Sequence, residues 1–257
     1  MMKKKVVLIT GGTSGVGLAI AKSFAEIPTE IVLVGRNRAR AIAAVQEIQS
    51  LSPSSDVSYL LGDLADPTEN KRLATTFMTT HSRLDILFNS AGNIPKTASN
   101  NIALNLQSHY WLTHNLASTL EKSDDPRVFI ITGMPLAIQL GPVYEHQFNL
   151  VDRGLWLLTH KTLLVTILAH ELKSWHIKVN ALFPGGVQSD LLPWTKNLGN
   201  TEVAIASKLA TQSRYQTITG QFFDDKGNLV RLNNRKYGLK RAKSVLKRYL
   251  PLKTDLN

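Results

Sequence analysis

The chain has 257 residues, of which 43% are hydrophobic, with a net charge of +11; this length suits one large α/β domain with a sizeable buried core. It contains no cysteine, which excludes disulfides, cysteine metal sites and a thiol nucleophile. The charge is local: Lys226–Asn257 holds ten Lys or Arg against Asp255 alone, a net +9, while the preceding 225 residues carry +2.

Met1-Met2-Lys3-Lys4-Lys5 leads into Val6-Val7-Leu8-Ile9, an apolar run too short for a signal peptide and broken at Gly11-Gly12. No run of about eighteen apolar residues follows, so no transmembrane helix is expected, and the expected setting is cytoplasmic. Short β-branched runs predict strands at Lys5–Thr10, Ile31–Val34, Val57–Leu61, Leu84–Phe88, Arg127–Thr132, Ile177–Leu182 and Thr219–Phe223. Helical periodicity fills 16–26, 38–50, 68–80, 100–120, 150–174, 190–213 and 234–250. Strands alternating with helices imply βαβ units, hence a doubly wound parallel sheet of about seven strands with helices on both faces. The helix from Leu155 to Leu168 is apolar nearly all round, which predicts burial against a second subunit, in a homodimer or homotetramer. The final basic helix carries no stacking aromatics or nucleic-acid motif, so a solvated face is expected there and no nucleic-acid partner.

The first strand ends in Thr10-Gly11-Gly12-Thr13-Ser14-Gly15-Val16-Gly17 and runs into the apolar helix Leu18-Ala19-Ile20-Ala21. Glycines there let the backbone take positive φ and come close to phosphate, and the helix N-terminus offers free N–H groups and a partial positive charge. The position between strand and helix is the context a dinucleotide fingerprint requires; the blander alternative is a tight strand–helix turn.

This pattern resembles the glycine motif of the short-chain dehydrogenases/reductases. Asp63-Leu64, Asn89-Ser90-Ala91-Gly92, Asn105 and Pro184-Gly185-Gly186-Val187-x-Ser189 follow in that family's order. The segment around Gly220-Gln221-Phe222-Phe223 is similar to retinol-dehydrogenase-like members. The resemblance implies one Rossmann domain over residues 1–257. It also implies a cofactor site formed by Gly11, Thr13, Ser14, Gly15, Val16, Gly17, Asp63, Leu64, Asn89, Ala91, Gly92, Pro184, Gly185, Val187 and Ser189. Asp63 would hold the adenine and Val187 would meet the nicotinamide amide; Asp63 as a helix cap and Asn89 as a strand tie are the alternatives.

After the second strand stands Gly35-Arg36-Asn37-Arg38. An NAD site usually places a carboxylate there for the ribose 2′-OH, whereas the planar, permanent charge of Arg36 suits a 2′-phosphate. Arg36 and Asn37 therefore point to NADP(H), with NAD(H) the lesser expectation.

The family's catalytic pattern is absent. Members carry a serine after the fifth strand and Tyr-x-x-x-Lys on the long helix, where the lysine lowers a tyrosine pKa that unassisted stays near 10. Counting back from Ala169-His170-Glu171-Leu172 puts the tyrosine at Gly154, the lysine at Leu158 and the serine at Met134. Lys161 has Leu157 four residues before it, so sliding the helix does not restore the pair. Asn105 and the loop residue Tyr144 are the remaining catalytic candidates, with His109, His146 and His160 behind them. No metal site is expected. Two functions compete: an NADPH-dependent reductase of a small carbonyl or alcohol substrate, and a non-catalytic NADP(H)-binding regulatory or redox-sensing protein.

Overall fold

The computed structural model describes residues 4–191 and 193–252. Seven parallel strands form one sheet: β1 Lys5–Thr10, β2 Thr29–Gly35, β3 Asp56–Leu61, β4 Ile86–Asn89, β5 Arg127–Ile131, β6 Lys178–Leu182 and β7 Phe222–Phe223. Their order is β3-β2-β1-β4-β5-β6-β7. Because helices cover both faces, the central strands are apolar on both sides instead of alternating with polar residues. Period two still sorts the side chains: Leu8, Val32, Leu87 and Val128 enter one core, and Val7, Ile9, Ile31, Phe88 and Phe129 the other. Phe88 and Phe129 stack with ring centroids 5.0 Å apart.

The helices are α1 Gly15–Lys22, α2 Arg38–Leu51, α3 Pro67–Thr80, α4 Ala98–Ile102, α5 Ser108–Asn115, α6 Ala117–Leu120, α7 Pro135–Leu140, α8 Leu150–Glu171, α9 Ala204–Thr211, α10 Asn234–Tyr237 and α11 Leu239–Leu246. Asn37 caps α2 by accepting from Arg40 N, and Asp66 caps α3 by accepting from Thr68 N and Glu69 N.

Several expected elements are divided. The 100–120 helix is broken into α4, a π turn at Ala103–Gln107, α5 and α6. Among the described residues of 190–213 only α9 is α-helical, preceded by a 3-10 segment at Pro193–Asn197; Pro193 and Gly199 interrupt the periodic pattern. The 234–250 helix breaks at Gly238, whose extended backbone separates α10 from α11. The seventh strand shortens to Phe222–Phe223 because Gly220, at φ +71°, turns the chain first. Helix α7 has proline at its first position, where the missing N–H costs nothing; it was not expected.

Trp156, Leu163, Leu164 and Leu168 of α8 are fully buried within the single chain. They share one core with Ala242, Val245 and Leu246 of α11. Lys240, Lys247 and Arg248 remain exposed. The apolar character of α8 is thus explained by its own C-terminal cover, and the argument from this helix for a second subunit falls away.

Candidate functional site

The order in which strands are added reverses between β1 and β4, and in such sheets ligands bind beyond the strand C-termini at that point. The residues from Gly11 to Gly17 lie there. Gly11 and Gly15 have φ of +66° and +50°. A Cβ on Gly11 would stand 3.0 Å from Ala91 Cα, one on Gly15 3.0 Å from Ser189 Cβ, and one on Gly17 2.3 Å from Gly11 O. A Cβ on Gly35 would meet Thr13 at 2.6 Å. The glycine loop is therefore pressed against the end of β2 and the loops that follow β4 and β6. Ser14 is exposed before α1, and Val16 half-buried behind it. Thr10, not anticipated, ties β1 to the loop after β4: its Oγ1 accepts from Ser90 N and Ala91 N, each at 2.9 Å.

At the β2 end Arg36 is exposed (62%), with Nη1 3.6 Å from Asp63 Oδ2. Asp63 also accepts from Ala65 N at 3.0 Å, while the cap of α3 is Asp66, not Asp63. Leu64 is buried in the first core. Asn37 faces its own helix as a cap. Arg40 reaches Asp190 at 3.6 Å, linking α2 to the loop after β6. In that loop Pro184 is buried, Gly185 has φ +80°, Val187 is buried in the second core, and Ser189 donates to Thr195 Oγ1 at 3.1 Å.

The far side of the glycine loop is floored by buried polar groups. Asn89 donates to Thr113 Oγ1 at 2.9 Å, which holds it to α5, and its Oδ1 has no partner. Asn105 sits in the π turn, a distortion frequent at functional sites. It donates to Asn101 Oδ1 (2.9 Å) and Asn93 O (3.2 Å), and accepts from Asn93 N (3.2 Å). A Cβ on exposed Gly92 would lie 2.8 Å from Asn105 Oδ1 and 3.6 Å from Lys161 Nζ. Lys161 Nζ donates to Ile131 O at 3.3 Å. His109 reaches Ala91 O through Nε2 at 2.8 Å, and burial, with Lys161 nearby, holds its pKa well below the ordinary value.

The three positions matched to the family's serine, tyrosine and lysine are not equivalent in space. A Cβ on Gly154 would meet nothing within 4 Å. Leu158 turns onto β5, where a Cβ on Gly133 would lie 2.2 Å from its Cδ2. Met134 is 56% exposed, so Gly133 is the residue of this pair that faces α8. Tyr144 is half-buried against the first core beside Gly141. His146 is exposed and stacks on Phe148. His160 stacks on Trp156 at 3.8 Å, and burial pushes its pKa down to about 3, which makes it a core residue. Lys161 has no tyrosine one turn before it, and what sets it apart in the sequence is its place inside the apolar run 155–168.

Residues 5–135 match the short chain dehydrogenase family, and the chain belongs to that family. Retinol dehydrogenase 11 of Homo sapiens is 29% identical over 201 residues, covering 73% of this chain and 63% of that protein. The 3-oxoacyl-acyl-carrier-protein reductase FabG of Chlamydia pneumoniae is 26% identical over 196 residues, covering 73% of this chain and 75% of that one. The chain thus spans less than two thirds of the length of the retinol dehydrogenases it matches. Among solved structures, a short chain dehydrogenase from Shigella flexneri complexed with NADP has a TM-score of 0.73 at 19% identity, covering 86% of this chain and 97% of that one. This likeness concerns the fold. Among the described residues no helix is long and apolar enough to cross a membrane, and no cluster of ligating side chains could hold a metal.

Proposed function

We propose that the chain binds NADP(H) at the ends of β1, β2, β4 and β6 and reduces a small carbonyl compound without the family's usual serine, tyrosine and lysine. The observation that carries this reading is Arg36, an exposed guanidinium at the end of β2 beside the Gly11–Gly17 loop. The fit of a dinucleotide rests on that loop's bare backbone, which added Cβ atoms would crowd. Gly11, Thr13, Ser14, Gly15, Val16 and Gly17 would hold the pyrophosphate; Arg36 and Asn37 would stand at the 2′-phosphate. Asp63, Leu64, Asn89, Ala91 and Gly92 would line the nucleosides, and Pro184, Gly185, Val187 and Ser189 the nicotinamide. A cytoplasmic setting belongs to the same proposal.

The bound cofactor supplies hydride. The chain's part is to hold donor and acceptor together, which contributes about 7–11 kcal/mol in favourable cases, against roughly 10²–10⁴-fold for a positioned acid. Open space at Gly154 leaves room for water as the proton source. Oxidation needs a base, and neither Gly154 nor Leu158 provides one, so the expected direction is reduction.

A second reading, a non-catalytic NADP(H)-binding regulator or redox sensor, is favoured by Leu158 lying across Gly133, which fills the space of a hydroxyl there. NADPH consumption followed with a panel of aldehydes and ketones separates the two. Turnover of any member supports the reductase; saturable NADPH binding with no turnover across the panel supports the regulator.

A further inference from the structure

Lys161 is 6% exposed, yet a Cβ on exposed Gly92 would stand 3.6 Å from its Nζ. Among the described residues its ammonium donates to Ile131 O at 3.3 Å and is paired with no carboxylate. Unsatisfied acceptor capacity gathers on the adjoining residues. Thr132, next to Ile131, has an unpartnered Oγ1, as does Asn89 at Oδ1; Asn89 pairs in register with Ile130. The titratable group facing Lys161 from α5 is His109, whose Nδ1 is also unpartnered. A lone ammonium this deep is unfavourable in a core, and desolvation lowers its pKa to about 7. The packing role of this position needs only an apolar side chain, so the charge calls for another explanation.

We propose that Lys161, from one turn further along α8, supplies the ammonium that position 158 lacks and binds a sugar hydroxyl of the dinucleotide over Gly92. This rests on the reading of the chain as an NADP(H)-binding protein. It makes Lys161 a cofactor-binding residue that reaches the site from beneath, with Asn105 converging on the same glycine. The dinucleotide is anionic, so its arrival favours the charged lysine. Above pH 7 the free protein holds Lys161 largely neutral, and binding must take up a proton there. Affinity therefore declines as pH rises beyond about 7.

The test is isothermal titration calorimetry of NADPH into the full chain at pH 8, in buffers of different ionisation enthalpy. The unaltered protein should take up a substantial fraction of one proton, and Lys161→Met should take up none. Lys161→Met should also bind roughly tenfold or more weakly, the scale of one hydrogen bond to a charged group. Leu158→Lys on the Lys161→Met background should recover affinity. Zero uptake by the unaltered protein would overturn the proposal without any variant. Unchanged affinity in folded Lys161→Met would overturn it while leaving the cofactor reading intact. If the unaltered protein binds neither NADPH nor NADH, the cofactor reading itself fails and this inference with it.

Discussion

Leu158 lies over Gly133 so closely that a Cβ on the glycine would stand 2.2 Å from Leu158 Cδ2. Leu158 stands at the position matched to the family's lysine and Gly133 beside Met134, the position matched to its serine, and the two form an apolar seal between α8 and the loop after β5.

That seal sets the order in which catalytic groups can be restored. Gly133→Ser alone should cost about 1–3 kcal/mol by overpacking, read as a shift in the urea midpoint. Leu158→Lys should relieve much of that cost, so the pair should couple by at least about 0.5 kcal/mol. Adding Gly154→Tyr, where space is open, rebuilds the i, i+4 pair on one helix face. The triple variant is expected to gain NADPH reductase activity on a small carbonyl. Additive stability effects for positions 133 and 158 would show that the contact is absent in solution.

Stability should rise with pH across two ranges. His109 and His160 have pKa values lowered by burial. The unfolded chain thus binds more protons below about pH 6.5, and stability falls on acidification. Lys161, lowered to about 7, adds a second rise between pH 7 and the ordinary lysine range near 10.4. Thermal melts of the unaltered protein should climb from pH 7 to 9, and Lys161→Met should flatten that limb. A flat profile in the unaltered protein would contradict the burial of a free ammonium.

Leu164→Asp should unfold the chain instead of dissociating an oligomer, because Leu164 is 0% exposed between the sheet and its helical cover. An unpaired carboxylate there is expected to cost several kcal/mol. A folded Leu164→Asp protein, seen by circular dichroism, would show that this face opens to solvent.

Most of the sheet was legible because its strands are short apolar runs, rich in β-branched residues, with turn residues beyond them. The positive-φ turn at Gly11 and Gly15 and the exposed Arg36 beyond β2 were legible because neighbours in the chain decide them. The surroundings of Lys161 were not, since Gly92 and Ile131 lie sixty-nine and thirty residues away in sequence. That Met134 is exposed while the neighbouring Gly133 lies beneath Leu158 was not legible either, because only the twist of the chain after β5 decides which of the two faces α8. Apolar residues on α8 looked like an interface for a related reason. Periodicity shows that a face is covered, and the covering helix α11 lies some seventy residues on.

The central claim is an NADP(H) site built around Arg36, and paired calorimetric titrations with NADPH and NADH test it most directly. NADPH should bind more tightly by about 1.5–3 kcal/mol, the range for hydrogen bonds to a charged group, and Arg36→Asp should erase that preference. Equal affinities for the two dinucleotides in the unaltered protein would contradict it.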